Sequence, residues 1–182
     1  CCWTHERRGF HEAHKLSPHE TVARGVVFLI DELFGIDAEA RAQGLGTAER
    51  DALRQERSRP QLKKIRAAVE AARDSALPSS KLGKAIQYTL GLWPKLDRFL
   101  DHPVLELSNN LAENSMRPVA IGRKNWIHVG SAQAGPKVAA ILSIVESCRR
   151  MGVPVRDYLG DVLPGLANVS IQRLPKLTPA AW

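Results

Sequence analysis

The chain has 182 residues, 44% hydrophobic and 25% charged, which excludes a disordered tail and suits one domain with a real core or a large part of a bigger protein. A net charge of +7 and a pI of about 9.7 favour an acidic partner such as nucleic acid. The longest apolar runs, GVVFLI and VAAILSIV, are too short to span a bilayer, and three cysteines without a signal-peptide pattern point to free thiols in a reducing, cytoplasmic setting.

The chain opens without methionine, in what reads as a structured segment, so sequence upstream of Cys1 is expected. Cys1 to Thr4 read as the end of a buried strand, and a helix follows from His5 with Phe10 and Leu16 inward. Cys2, His5, His11 and His14 resemble a zinc set only superficially, because two pairs on one short segment do not easily wrap a tetrahedron. Ser17-Pro18-His19-Glu20 carries a helix start, and the apolar spacing of Val22, Val26, Leu29, Ile30 and Leu33 predicts a helix that stops at Gly35. Thr47 caps a further helix to about Ser58. Pro60 starts another with Leu62, Ile65, Val69 and Ala72 as its stripe, and Lys81 to Leu92 is again helical until Pro94 breaks or kinks it, with a short helix continuing to Leu100. Residues 18–100 thus read as an all-helical block of antiparallel pairs whose stripes are core.

After His102-Pro103 the texture changes. Val104 to Leu107 reads as a short strand. A helix carrying Glu113 follows, with Asn109 or Asn110 as its cap; Asn110 and Glu113 also have capping-box spacing. Val119–Ile121 and Trp126–Val129 are strand-like, and Gly122-Arg123-Lys124-Asn125 between them predicts a small β-hairpin that presents Arg123 and Lys124. Pro136 opens a long helix closed by Gly152, and Pro154 starts one more that ends at Pro164. From Arg117 to Arg150 six cations face the single acid Glu146, which concentrates +5 of the total charge in less than one fifth of the chain. A lone carboxylate on a first helical turn, followed closely by cations and Trp126, suits work on a phosphate backbone: the acid can hold a divalent metal and the cations can hold the strand.

The strings NNLAENSMRP and GRKNW resemble, nearly letter for letter, the region around the last catalytic acid of the insertion sequence sixty-six family of transposases. CWTHERRGF is similar to the segment after that family's second catalytic aspartate. RQERSRPQL and SSKLGKAIQYTLGLWPKLDRFL resemble its helical insertion, and SIVESCRRMGVPVRDYLGDVL with LTPAAW resembles its C-terminal extension. The resemblance implies a mainly α chain with a small β-hairpin, the C-terminal portion of an RNase H-like fold carrying a helical insertion. It also implies a division into residues 1–16 (end of a core strand and its helix), 17–103 (insertion), 104–150 (glutamate helix, hairpin and core helix) and 151–182 (extension).

It further implies DNA cleavage and strand transfer by two aspartates and one glutamate holding two Mg²⁺ or Mn²⁺ ions, in a bacterial, nucleoid-associated, homo-oligomeric complex with transposon ends and target DNA. Glu113 matches the glutamate, with Asn109, Asn110 and Asn114 supporting it. Arg117, Arg123, Lys124 and Trp126 match positions expected near DNA. Ser108 stands where the family usually has an aspartate. Both catalytic aspartates are expected upstream of Cys1, so the chain alone is expected not to cut DNA. The alternative is a non-catalytic DNA-binding remnant of a decayed element.

Overall fold

The structure, a computed structural model, describes residues 2–19, 21–126 and 129–182, with the side chains of all of these except Lys124 and Trp126. Helix α1 (Trp3–Leu16) turns Trp3, Glu6, Phe10 and Ala13 inward at helical spacing. Helix α2 (Thr21–Ala42) buries Val26, Ile30, Leu33 and Ile36. Helix α3 (Thr47–Leu53), a π-helical turn (Arg54–Ser58) and helix α4 (Arg59–Arg73) run on as one rod, since the joints keep right-handed helical backbone. Helix α5 (Lys81–Leu96) starts at Ser80, whose hydroxyl accepts the amide of Gly83 at 2.9 Å, and leads into a 3₁₀ turn (Arg98–Leu100).

Each of α1 and α4 packs against both α2 and α5, so the four close into a bundle. Phe10, Val26, Ile30, Leu33, Ile65 and Ile86 fill its centre, each burial contributing about 1.5–3 kcal/mol. Trp3 ties the first helix to the end of this unit, which spans Cys1–Leu111. Its indole donates to the carbonyl of Leu96 at 2.9 Å, its ring meets Trp93 edge-on at 5.7 Å, and its backbone amide donates to the carbonyl of Leu107 at 2.9 Å.

Two charged groups lie inside the bundle. Asp37 on α2 pairs with Arg54 on the π turn at 2.8 Å, both almost fully buried. The guanidinium also donates to the carbonyls of Phe99 and Pro103 at 3.3 and 3.0 Å and stacks over the Phe99 ring at 5.1 Å. Arg50 bridges Asp37 and Glu106 at 3.0 and 2.7 Å, so the segment after α5 is held to α2 and the rod by charge. The second group is Glu6, 2% exposed, which accepts from the Thr89 hydroxyl at 2.6 Å.

Burial pushes the Glu6 carboxyl above the usual carboxylate range, against the smaller lowering by Thr89. A raised folded pKa favours the protonated form. Its contribution is therefore complete below the unfolded pKa of about 4.3 and is lost as pH rises through the folded value. Glu6→Gln is expected to remove this component: urea midpoints of parent and variant measured from acid to neutral pH should diverge, the parent losing more stability toward neutral. Parallel curves would place Glu6 in a solvated environment.

Several sequence expectations are overturned. Among the described residues there is no strand, hence no β-hairpin and no RNase H-like sheet. Trp3 and Thr4 begin α1, and Cys1 lies outside the described residues. Residues 104–107 form an irregular segment fixed by hydrogen bonds. Val119–Ile121 and Trp126 belong to helix α6 (Asn110–Trp126); Ile127 and His128 lie outside the described residues. An isolated hairpin with no sheet beside it is marginal, whereas a helix satisfies its amides internally, and one interior glycine at Gly122 costs only about 1 kcal/mol. The same arithmetic carries α2 through Gly35 to Ala42, because Ile36, Asp37 and Ala40 all gain burial beyond it. At Pro94 the expectation of helix on both sides stands: α5 runs past it to Leu96, and the 3₁₀ turn reaches Leu100.

The second unit, Ala112–Trp182, holds most of α6, α7 (Ala134–Met151), α8 (Val155–Val162) and two 3₁₀ segments (Leu163–Asn168 and Ile171–Leu177). Gly152, at φ +69°, ends α7 in the left-handed conformation that glycine adopts without penalty. Tyr158 anchors the tail: its hydroxyl donates to the carbonyl of Leu177 at 2.6 Å and its ring meets Trp182 edge-on at 5.9 Å. Among the described residues no helix is long and apolar enough to cross a membrane.

Candidate functional site

The segment that leads into α6 is pinned before the helix starts. Glu106 takes Arg41 and Arg50, the carbonyl of Leu107 takes the amide of Trp3, and the Ser108 hydroxyl accepts the amide of Asn110 at 3.1 Å. The side-chain oxygen at this helix start is thus Ser108, not Asn109, whose Oδ1 is buried without a hydrogen-bond partner among the described residues. Asn110 is the first residue of the helix itself. Serine at 108 therefore has a local structural task in this chain.

On α6, Glu113 lies in the first turn and is exposed. Asn110, Asn114 and Arg117 stand three residues before it and one and four after it, on the same side of a 3.6-residue helix. Gly122, buried, is nine residues on, half a turn away around the axis. The Ser115 hydroxyl meets the guanidinium of Arg150 on α7. Pro118 lacks an N–H, so the carbonyl of Asn114 has no intrahelical amide at that position to accept from.

Of the expected DNA-contacting residues, Arg117 and Arg123 border different hollows. Arg117 borders a hollow of about 490 Å³ with Asn114, Asn125, Glu146 and Arg149. Arg123 is about 120° further around the helix from Arg117 and lines a different, apolar cavity of about 560 Å³ with Met116, Val119, Val138 and Leu142. The backbone of Lys124 and Trp126 lies in the last turns of α6; their side chains are outside the described residues. Glu146 lines both spaces and pairs with Arg149 at 2.8 Å. Sequence reading counted it only as the single acid in a basic run; its position on α7 facing α6 is visible only once the hairpin is replaced by a helix.

Glu113 can supply one metal ligand. Among the described residues no group of three histidine, cysteine or acidic side chains comes together to hold a metal. A two-metal centre therefore does not assemble from these residues alone. The zinc reading at the front fares no better, since His5 and His14, nine residues apart on α1, project to opposite sides. The Cys2 thiol meets His5 Nδ1 instead, at 3.1 Å.

Comparison with known proteins adds what geometry alone does not. Three curated proteins of Sinorhizobium fredii (strain NBRC 101917 / NGR234) are similar along the chain. The uncharacterized protein y4jD is 34% identical over all of this chain and 35% of its own length, and y4hP is 32% identical over all of the chain and 34% of its own. The uncharacterized protein y4qI is 31% identical over 92% of the chain and 30% of its own length. The chain thus spans about a third of the length of these relatives. No solved structure matches it. The model of the family described as "Transposase IS66 family" matches residues 1–137, from α1 through α6 into α7, and by that match the chain belongs to the IS66 family of transposases.

Proposed function

We propose that this chain is the part of a DDE transposase that carries the glutamate of the catalytic set, and that it acts on DNA by metal-dependent cleavage and strand transfer only together with the rest of the longer protein. The observation that carries the reading is Glu113, exposed in the first turn of α6 with Asn110, Asn114 and Arg117 on its side of the helix, inside the family match. Glu113 would be one ligand to Mg²⁺ or Mn²⁺, with the remaining carboxylates supplied from outside this chain. Asn110 and Asn114 would orient that carboxylate, and Arg117, Arg123, Lys124 and Trp126 would meet the DNA backbone. A bound divalent pair supplies nucleophile activation and leaving-group stabilisation in such enzymes. The alternative, a DNA-binding piece without catalysis, shares the binding and lacks strand transfer in the longer chain.

The binding half is testable with the 182-residue chain. Each phosphate contact contributes about 0.9 to the slope of log affinity against log salt. Replacing Arg123 and Lys124 together by Ala is expected to make that slope shallower by up to about 1.8, read by fluorescence anisotropy on duplex DNA at several salt concentrations. An unchanged slope would show that neither side chain touches phosphate.

A further inference from the structure

Many arginines of the first unit are committed to acids. Arg7 pairs with Asp31, Arg57 with Glu39, Arg66 with Glu70, and Arg41, Arg50 and Arg54 share Asp37 and Glu106. The lysines of α5 are arranged differently. Helix α5 reads KLGKAIQYTLGLWPKL and contains no aspartate or glutamate. Its buried residues Ala85, Ile86, Thr89, Trp93 and Leu96 occupy one side. Lys81, Lys84, Tyr88 and Lys95 are all exposed, and at 100° per residue they fall within a stripe about 60° wide on the other side. None of the three lysines has an acidic partner among the described residues. Tyr88, 53% exposed, leaves an aromatic ring in water between Lys84 and Lys95.

The stripe has a length and an end. Lys81 to Lys95 spans about 21 Å at a rise of about 1.5 Å per residue, the length of about six base-pair steps of B-DNA. At its N-terminal end Lys81 opens on a hollow of about 350 Å³, half polar, that Ser17, Ser75 and Ser80 line together with Leu16 and Leu77. Lysine ammonium groups on flexible stems, spaced along one helix and flanked by hydroxyls, fit an array of phosphates. An acidic protein loop would not supply that regular array.

We propose that this face of α5 is a contact surface for the phosphate backbone of duplex DNA. The proposal rests on the reading of DNA as the partner and extends it to a helix to which sequence reading gave only a core role. The test uses the 182-residue chain with Lys81, Lys84 and Lys95 all changed to Gln. Gln and Lys have nearly equal helix propensity, so α5 is retained, and circular dichroism checks that it is. The salt slope on random-sequence duplex DNA is expected to become shallower by up to about 2.7, with the affinity loss equal across sequences. A slope equal to the parent's overturns the proposal.

The Arg123/Lys124→Ala variant, run in parallel, tells the two failures apart. If it flattens the slope and the α5 variant does not, DNA remains the partner and the α5 surface is wrong. If the parent chain binds no duplex at low salt, both readings fall. A poly-glutamate arm covers the remaining occupant: loss of poly-glutamate binding in the α5 variant with an unchanged DNA slope makes α5 an acidic-protein surface and overturns the proposal.

Discussion

Glu113→Gln, placed in a full-length chain of the family, is expected to abolish strand transfer while leaving duplex affinity essentially unchanged. The substitution keeps the length of the side chain and its helix propensity, so α6 is unaltered. What it removes is the charge. A neutral amide is a poor ligand for a hard divalent cation, which takes carboxylate oxygens. Losing a partner that merely orients a metal ligand costs about 10–100-fold, so losing the ligand itself should cost more than about 100-fold. The readout is the joined product on a gel, with binding measured on the same preparation. Retained joining would remove Glu113 from any metal role and leave it as an exposed first-turn acid, which favours the helix dipole for about 0.3–1 kcal/mol.

The largest stability effect should come from the first unit. Arg54→Ala takes from Asp37, 1% exposed, its fully buried partner, leaving it Arg50 and Arg41 nearer the surface, and frees the carbonyls of Phe99 and Pro103. Breaking one side of such a pair costs about 3–5 kcal/mol, a large share of the roughly 5–15 kcal/mol that holds a domain together. Urea unfolding followed by tryptophan fluorescence should show a midpoint shift of that size. The combined change Arg54→Met with Asp37→Leu should cost far less, because no charge is left stranded and Arg50 retains Glu106. A small effect of Arg54→Ala alone would mean that Arg50 and Arg41, or water, suffice to compensate Asp37.

The helices were legible in the sequence wherever apolar spacing and punctuation agreed. The stripe of Leu62, Ile65, Val69 and Ala72, the Gly152 stop and the Pro154 start all stand as read. Punctuation misled where packing outweighed it, at Gly35 and Gly122. The hairpin failed for a related reason: Val119-Ala120-Ile121 looks like a strand by residue type, yet Met116, Val119 and Arg123 also have helical spacing, and the helix needs no second strand. The Asp37–Arg54 pair could not be read at all. It depends on a π turn that shifts Arg54 and Ser58 inward, and no residue type announces such a turn. For the candidate site, the string around Glu113 named the family, but which cations share its face was decided only by α6 running through Trp126.

The clasp of Trp3 has a consequence in time. Its indole partner, the Leu96 carbonyl, lies 93 positions later in the chain, and Thr89, Trp93 and Leu107 are comparably distant. At a ribosome adding about 5–20 residues per second, α1 emerges roughly 5–20 s before the helix that covers it. During that interval Trp3 and Phe10 are exposed apolar rings on a nascent chain, and Glu6 is an ordinary solvated carboxylate that must give up its water when α5 arrives. Completion of this bundle is therefore a late event in its synthesis: α2 can pack against α1 soon after it is made, but the side that α5 covers waits until Leu107 has been added.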